Sequence, residues 1–199
     1  MPPQLPECDE VFKEFFDRWY SEDDRQRRRY TGTRPDAETW GRPGSSVETL
    51  CELTDAGQRE VAAQIDKMLE STAGDWPAFL NVSGDIDIAW VDEFDKHFDA
   101  AAVHALMNRS EPSEFSNEFL VLACEFGATL GHTLLSLAEG TAWLFDWPYW
   151  ESAVYDPASG YRINVFHWAI KKFSDYGIED GYRAKLLKCV ELVREGWSE

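Results

Sequence analysis

The stretch FLVLACEFGATLGHTLLSLA, residues 119–138, is apolar almost all the way round a helix. It is 20 residues long, enough to cross a bilayer. Glu125 and His132 in its middle, and the lack of flanking basic anchors, argue against a membrane span. The better reading is a buried central helix over about 113–138. At about 100° per residue, Glu118, Glu125, Thr129, His132 and Ser136 fall in one stripe, and Ala123, Gly127, Gly131 and Ala138 fall nearly opposite. The small residues let another element approach closely. The polar stripe must meet solvent or line a polar pocket. Glu125 and His132 form a potential acid/base pair, but seven residues separate them. That is roughly 10.5 Å along the axis, so a substrate or a third residue would have to bridge them.

Just beyond lies WLFDWPYW, residues 143–150. In a strand, Trp143, Phe145, Trp147 and Tyr149 share a face, until Pro148 ends the ladder or puts it at an edge. The rings are expected either to pack on the glycine side of the central helix or to form a binding patch. The residues expected in such a patch are Trp143, Trp147, Tyr149 and Trp150. Strands are expected at about 142–147, 150–156 and 161–166. DPASG, 156–160, joins the last two as a hairpin, with Gly160 at its exit.

Working outward, apolar periodicity predicts further helices. They run over 9–29, from Thr54 as N-cap to Gly74 before Pro77, over 86–108, from about 165 to Gly177, and over 179–195. Residues 31–46, TGTRPDAETWGRPGSS, read as a linker with Trp40 tacking it down. The expected fold is α+β: mostly helical, with a small antiparallel meander of about three strands near 142–166, packed on the buried central helix. The chain divides into an N-terminal helix and Gly/Pro-rich linker, 1–46, and an α+β domain, 47–199, together one compact domain.

Composition narrows the function. The chain has 199 residues, nine Trp and a net charge of −18. Residues 30–170 hold 23 acids and seven bases, a net of −16. Such a field repels nucleic acid and anionic lipid and attracts basic partners. The basic run RQRRR, 25–29, follows SEDD and reads as a solvated helix face. Cys8, Cys51, Cys124 and Cys189 are far apart, with no CxxC spacing, and MPPQLPECDE is not a signal peptide. A cytoplasmic protein with reduced thiols is expected.

Catalytic motifs are sparse. There is no GxxxxGK[ST], no GxGxxG after a strand and no GxSxG. Glu93 and His97, at i and i+4, could share a metal ion, but His104 lies too far along for the same ion. His167 sits at a strand-to-helix junction, where sites are common. Lys171 and Lys172 beside it are internal partners for the acidic middle, or anion contacts. No residues here carry a family name; the run from FGATLG to VFHWAIKK has only a bacterial cast.

Three functions are compatible with these features. The first is a non-catalytic acidic protein that holds or neutralises a basic protein partner, as an immunity protein or inhibitor does. The second is a small enzyme or ligand binder with a pocket between the central helix and the sheet, using Glu125, His132 and His167. The third is an assembly subunit with the aromatic row at a homo-oligomer interface. No cofactor, nucleic acid or membrane partner is expected.

Overall fold

The computed structural model describes residues 4–23 and 53–195. The expected linker with Trp40, the basic run 25–29 and Cys51 lie outside the described residues. Chain order is α1 (Cys8–Phe15), a 3-10 turn (Asp17–Trp19), α2 (Asp55–Leu80), α3 (Ile88–His97), α4 (Ala100–Arg109) and α5 (Glu118–Leu137). There follow β1 (Ala142–Leu144), a second 3-10 turn (Tyr149–Glu151), β2 (Ala153–Asp156), β3 (Tyr161–Ile163), α6 (Val165–Lys172) and α7 (Tyr182–Glu195). The architecture is mostly helical α+β with one three-stranded antiparallel sheet, as the patterning predicts.

The central helix is α5. Asn117 caps it by accepting the Leu120 N–H at 2.9 Å, so it starts at Glu118 rather than at about Ser113. It is long and apolar enough to cross a membrane, yet most of it is buried inside the protein. Phe126 stacks on Phe94 of α3 at 3.8 Å between centroids, and Phe119 stacks on Phe15 of α1 at 4.1 Å. Trp76 of α2 sits edge-on to Phe94 and Trp90. Each such ring, fully buried, contributes about 2–3 kcal/mol through area removed from water.

Several predicted boundaries are corrected. The helix expected over 86–108 is two helices. Phe98 turns to extended backbone and Asp99 caps a new start, accepting the Ala102 N–H at 3.0 Å. An Asp that can bond a nearby backbone N–H competes with helix continuation. Conversely, α2 does not stop at Gly74. It runs through Pro77 to Leu80 and ends at Asn81 in the left-handed region, φ 58°. The N–H that Pro77 lacks would have met the Ala73 carbonyl, on an exposed turn open to solvent. Thr54 does cap α2, accepting from Gly57 N at 3.2 Å. The N-terminal helix expected over 9–29 breaks after Phe15 into a 3-10 turn; helix resumes at Glu22 and Asp23, and 24–29 lie outside the described residues. α6 ends at Lys172 rather than Gly177, and α7 begins at Tyr182.

The strands are shorter than expected. β1 pairs with β2 (Trp143 opposite Val154), and β2 with β3 (Val154 opposite Ile163). This row of three faces the helices. The β2–β3 hairpin turns as expected: Gly160 N–H donates to Asp156 O at 2.9 Å, and Gly160 has φ +79°. After Leu144 the ladder ends, and a cis peptide joins Trp147 to Pro148.

Two glycines of α5 seat these elements. A β-carbon at Gly127 would stand 2.9 Å from Phe166 Cα of α6, and one at Gly131 would overlap the Trp143 indole. The glycine side of α5 therefore carries the tryptophan strand and α6, as the small-residue stripe implies.

Candidate functional site

The sequence-predicted polar residues do not converge. Gly127 faces α6, and Glu125, two residues earlier, lies about 200° round the helix, on the side of α2. His132 is exposed, as are Glu118 and Ser136. Glu125 and Thr129 of the same stripe are buried. The stripe is thus split: its ends meet solvent and its centre meets α2. His167 is buried on the opposite side of α5 and is held by other partners. A pocket between α5 and the sheet built from Glu125, His132 and His167 has no geometric counterpart.

His167 belongs to a buried polar centre that sequence reasoning missed. Its Nε2 lies 3.0 Å from Glu151 Oε2. The Tyr20 hydroxyl donates to Glu151 Oε1, and Trp150 Nε1–H donates to the Tyr20 oxygen at 2.8 Å. An ionised carboxylate only accepts, and the Nε2–H tautomer of the imidazole is the one that matches it. Arg162 of β3 donates to the Glu151 carbonyl and, through Nε, to Asn164 Oδ1 at 2.6 Å. Chemically this is a carboxylate orienting an imidazole, an arrangement suited to proton handling. Tyr20, Trp150, Glu151 and His167 are all buried, so the network joins the N-terminal segment, the Tyr149–Glu151 turn and α6. Glu151 was hidden because a strand over 150–156 gives it no particular partner. The 3-10 turn after Pro148 is what points it inward.

The aromatic row is divided. Tyr149 and Trp150 are buried, Trp143 and Phe145 are half-buried, and Trp147 is 45% exposed. Of the four expected binding residues, only Trp147 presents a large free surface. A second exposed ring, Phe115 at 47%, lies 6.2 Å from Trp150. Tyr149 packs edge-on against both Trp150 and Trp147. Phe115 and Trp147 are therefore the exposed ends of a continuous aromatic run. Phe115 stands in a loop with the exposed acids Glu111 and Glu114.

The remaining candidates resolve differently. His97 Nε2 is 3.6 Å from Glu93 Oε2, and Glu93 also accepts from Lys96 at 2.7 Å. Among the described residues, no group of three or more His, Cys, Asp or Glu side chains could hold a metal. Lys172 is an internal partner of the acidic middle. Its buried Nζ donates to Ile178 O at 2.8 Å and Asp180 O at 2.9 Å, and lies 3.6 Å from Asp95 Oδ1. Burial pushes its ammonium down and the Asp95 carboxyl up. Lys171 lies over the Tyr176 ring at 4.7 Å.

Glu125 is 1% exposed. Burial, and then a hydrogen bond with the Asp75 carboxyl, push its own carboxyl up to about 9. The Trp76 indole pulls weakly the other way, yet Trp76 Nε1 and Glu125 Oε2 complete no hydrogen bond. Asp75 also lines a cavity of about 290 Å³ with Ala78, Phe79, Arg109, Ser116, Glu118, Val121 and Leu122. This cavity lies between α2, the end of α4 and the start of α5, away from the sheet.

No family model, curated protein or solved structure matches this chain.

Proposed function

We propose that this protein is a non-catalytic binding protein for a basic protein partner. The observation that carries the reading is the pair of exposed rings, Phe115 and Trp147, joined through Trp150 and Tyr149 and bordered by Glu111 and Glu114. Aromatic side chains backed by a rigid core are the residues that most often anchor interfaces. Carboxylates around them steer a cationic surface into place and reject an anionic one. Elsewhere α2 exposes the acids Asp55, Glu60, Asp66 and Glu70 against two bases, Arg59 and Lys67. The dispersed positions of Glu125, His132 and His167 add no support to an enzymatic reading.

The test is affinity capture from the host with immobilised protein, at about 50 mM and about 500 mM salt. Exposed charge pairs are screened over this range. A basic protein retained at low salt and lost at high salt is expected, with retention also lost in Phe115→Ala and Trp147→Ala. Retention indifferent to salt and to both substitutions would refute the proposal.

A further inference from the structure

We infer that the loop carrying Phe115, residues 110–117, is the seat of an arginine side chain from the basic partner, whose guanidinium lies on the exposed Phe115 ring and pairs with the carboxylates of the same turn, Glu111 and Glu114. The inference rests on the basic-partner reading and names the side chain that the partner brings. The loop is fastened from several sides. Glu114 N–H donates to Glu111 O at 2.9 Å, and Asn117 donates to Glu114 O through its backbone at 3.1 Å and its side-chain amide at 2.6 Å. Ser110 Oγ accepts the Phe119 N–H at 2.9 Å, which ties the start of the loop to the first turn of α5. The Trp19 indole meets the Phe115 ring edge-on at 5.0 Å, and its own N–H is fixed to Phe15 O at 2.9 Å. Phe115 is nonetheless 47% exposed. A ring held in place but left in water loses little freedom when a partner covers it.

The chain already makes this kind of contact elsewhere. Arg109 lies over the Phe79 ring at 4.7 Å and donates to Glu118 at 2.6 Å. One guanidinium there serves a ring and a carboxylate at once, in a pair that is itself half exposed. Phe115 and its two glutamates offer the ring and the carboxylates without the cation. Among the described residues, no cation covers Phe115, and neither Glu111 nor Glu114 is in an ion pair. Glu111 is oriented: its Oε1 accepts the Ser113 hydroxyl at 2.8 Å and the Ser113 N–H at 3.3 Å. Those bonds hold its carboxyl below the ordinary carboxylate range, with a smaller pull from Arg18, so it is ionised at neutral pH. These features select the class of side chain. A guanidinium is planar, forked and weakly hydrated, so it lies flat on a ring and bonds carboxylates along its edge. An ammonium is a strongly hydrated point charge and gains less from a ring at the surface.

The experiment is calorimetric titration of the full chain with two peptides of equal charge, hexa-arginine and hexa-lysine, at about 50 mM salt, where exposed charges still act. The acidic field attracts both alike, so the excess affinity for arginine measures the ring and fork contact. Hexa-arginine is expected to bind about twofold to fivefold tighter than hexa-lysine. Phe115→Ala should bring the two affinities together. A variant with both Glu111→Gln and Glu114→Gln should also shrink the difference, and it decides alone if Phe115→Ala fails to fold. Equal affinity for the two peptides, or an arginine excess that survives in the folded variants, would overturn the inference and leave the basic-partner reading standing. Binding of neither peptide would overturn both.

Discussion

The Trp143 indole lies directly against the backbone of α5 at Gly131, where a β-carbon would stand 2.5 Å from Cζ2. One turn earlier, Gly127 meets the Phe166 ring in the same way, but there a backbone atom, Phe166 Cα at 2.9 Å, also stands in the way. The two positions differ in what can yield: an indole can rotate, and a helix backbone cannot.

Gly131→Ala should therefore destabilise the protein by about 1–3 kcal/mol through overpacking, even though Ala gains about 1 kcal/mol over Gly in helix propensity. Gly127→Ala should be the more damaging of the two. Urea midpoints measure both. A Gly131→Ala protein as stable as the wild type would mean that the indole is not seated on the helix.

Tyr20→Phe removes one hydroxyl from a chain of donation running from Trp150 through Tyr20 to Glu151. An indole N–H and a carboxylate oxygen then stay buried without that partner, at a cost of about 1–3 kcal/mol. Combining it with Glu151→Gln should give a loss well short of the sum, with a coupling of about 0.5–3 kcal/mol. Strict additivity in the double-mutant cycle would show that the two groups do not act together.

Glu125 sets a pH dependence whose sign is fixed by linkage. Its folded-state carboxyl is raised to about 9 from an ordinary 4.5. Between those values the folded chain holds a proton that the unfolded chain releases. Its contribution is fully present below the unfolded value and is lost as pH rises through the folded one. Wild-type stability should fall from pH 5 to pH 9 relative to Glu125→Gln, by at most about 1.4 kcal/mol per pH unit. Parallel pH profiles in chemical denaturation would contradict a protonated Glu125.

Much of the fold is legible in the sequence because it depends on local periodicity. The apolar stripe of α5, its opposed glycines, the cap at Thr54 and the Asp156–Gly160 turn are all readable within a few residues. What is not legible depends on partners far along the chain. Nothing near Glu151 announces Tyr20 or His167, and the turn that aims it begins at a proline that pattern reading treats only as a strand end. The Asp75–Glu125 pair is obscured similarly. Gly74 and Pro77 read as the end of α2, so Asp75 falls outside any helix that could face α5. Glu125 and His132 share a nominal stripe, but a helix packed on two sides buries one and leaves the other in water.

The Tyr20–Glu151 contact spans 131 residues of chain, and this matters during synthesis. A ribosome adding about 5–20 residues per second delivers Glu151 on the order of ten seconds after Tyr20. Until then Val11, Phe12, Phe15 and Phe16, all buried in the finished fold, have no α6 to cover them. Phe15 can meet Phe119 of α5 before that, but Phe16 and Tyr20 pack on Trp150, so the segment completes its docking only after the Tyr149–Glu151 turn has emerged.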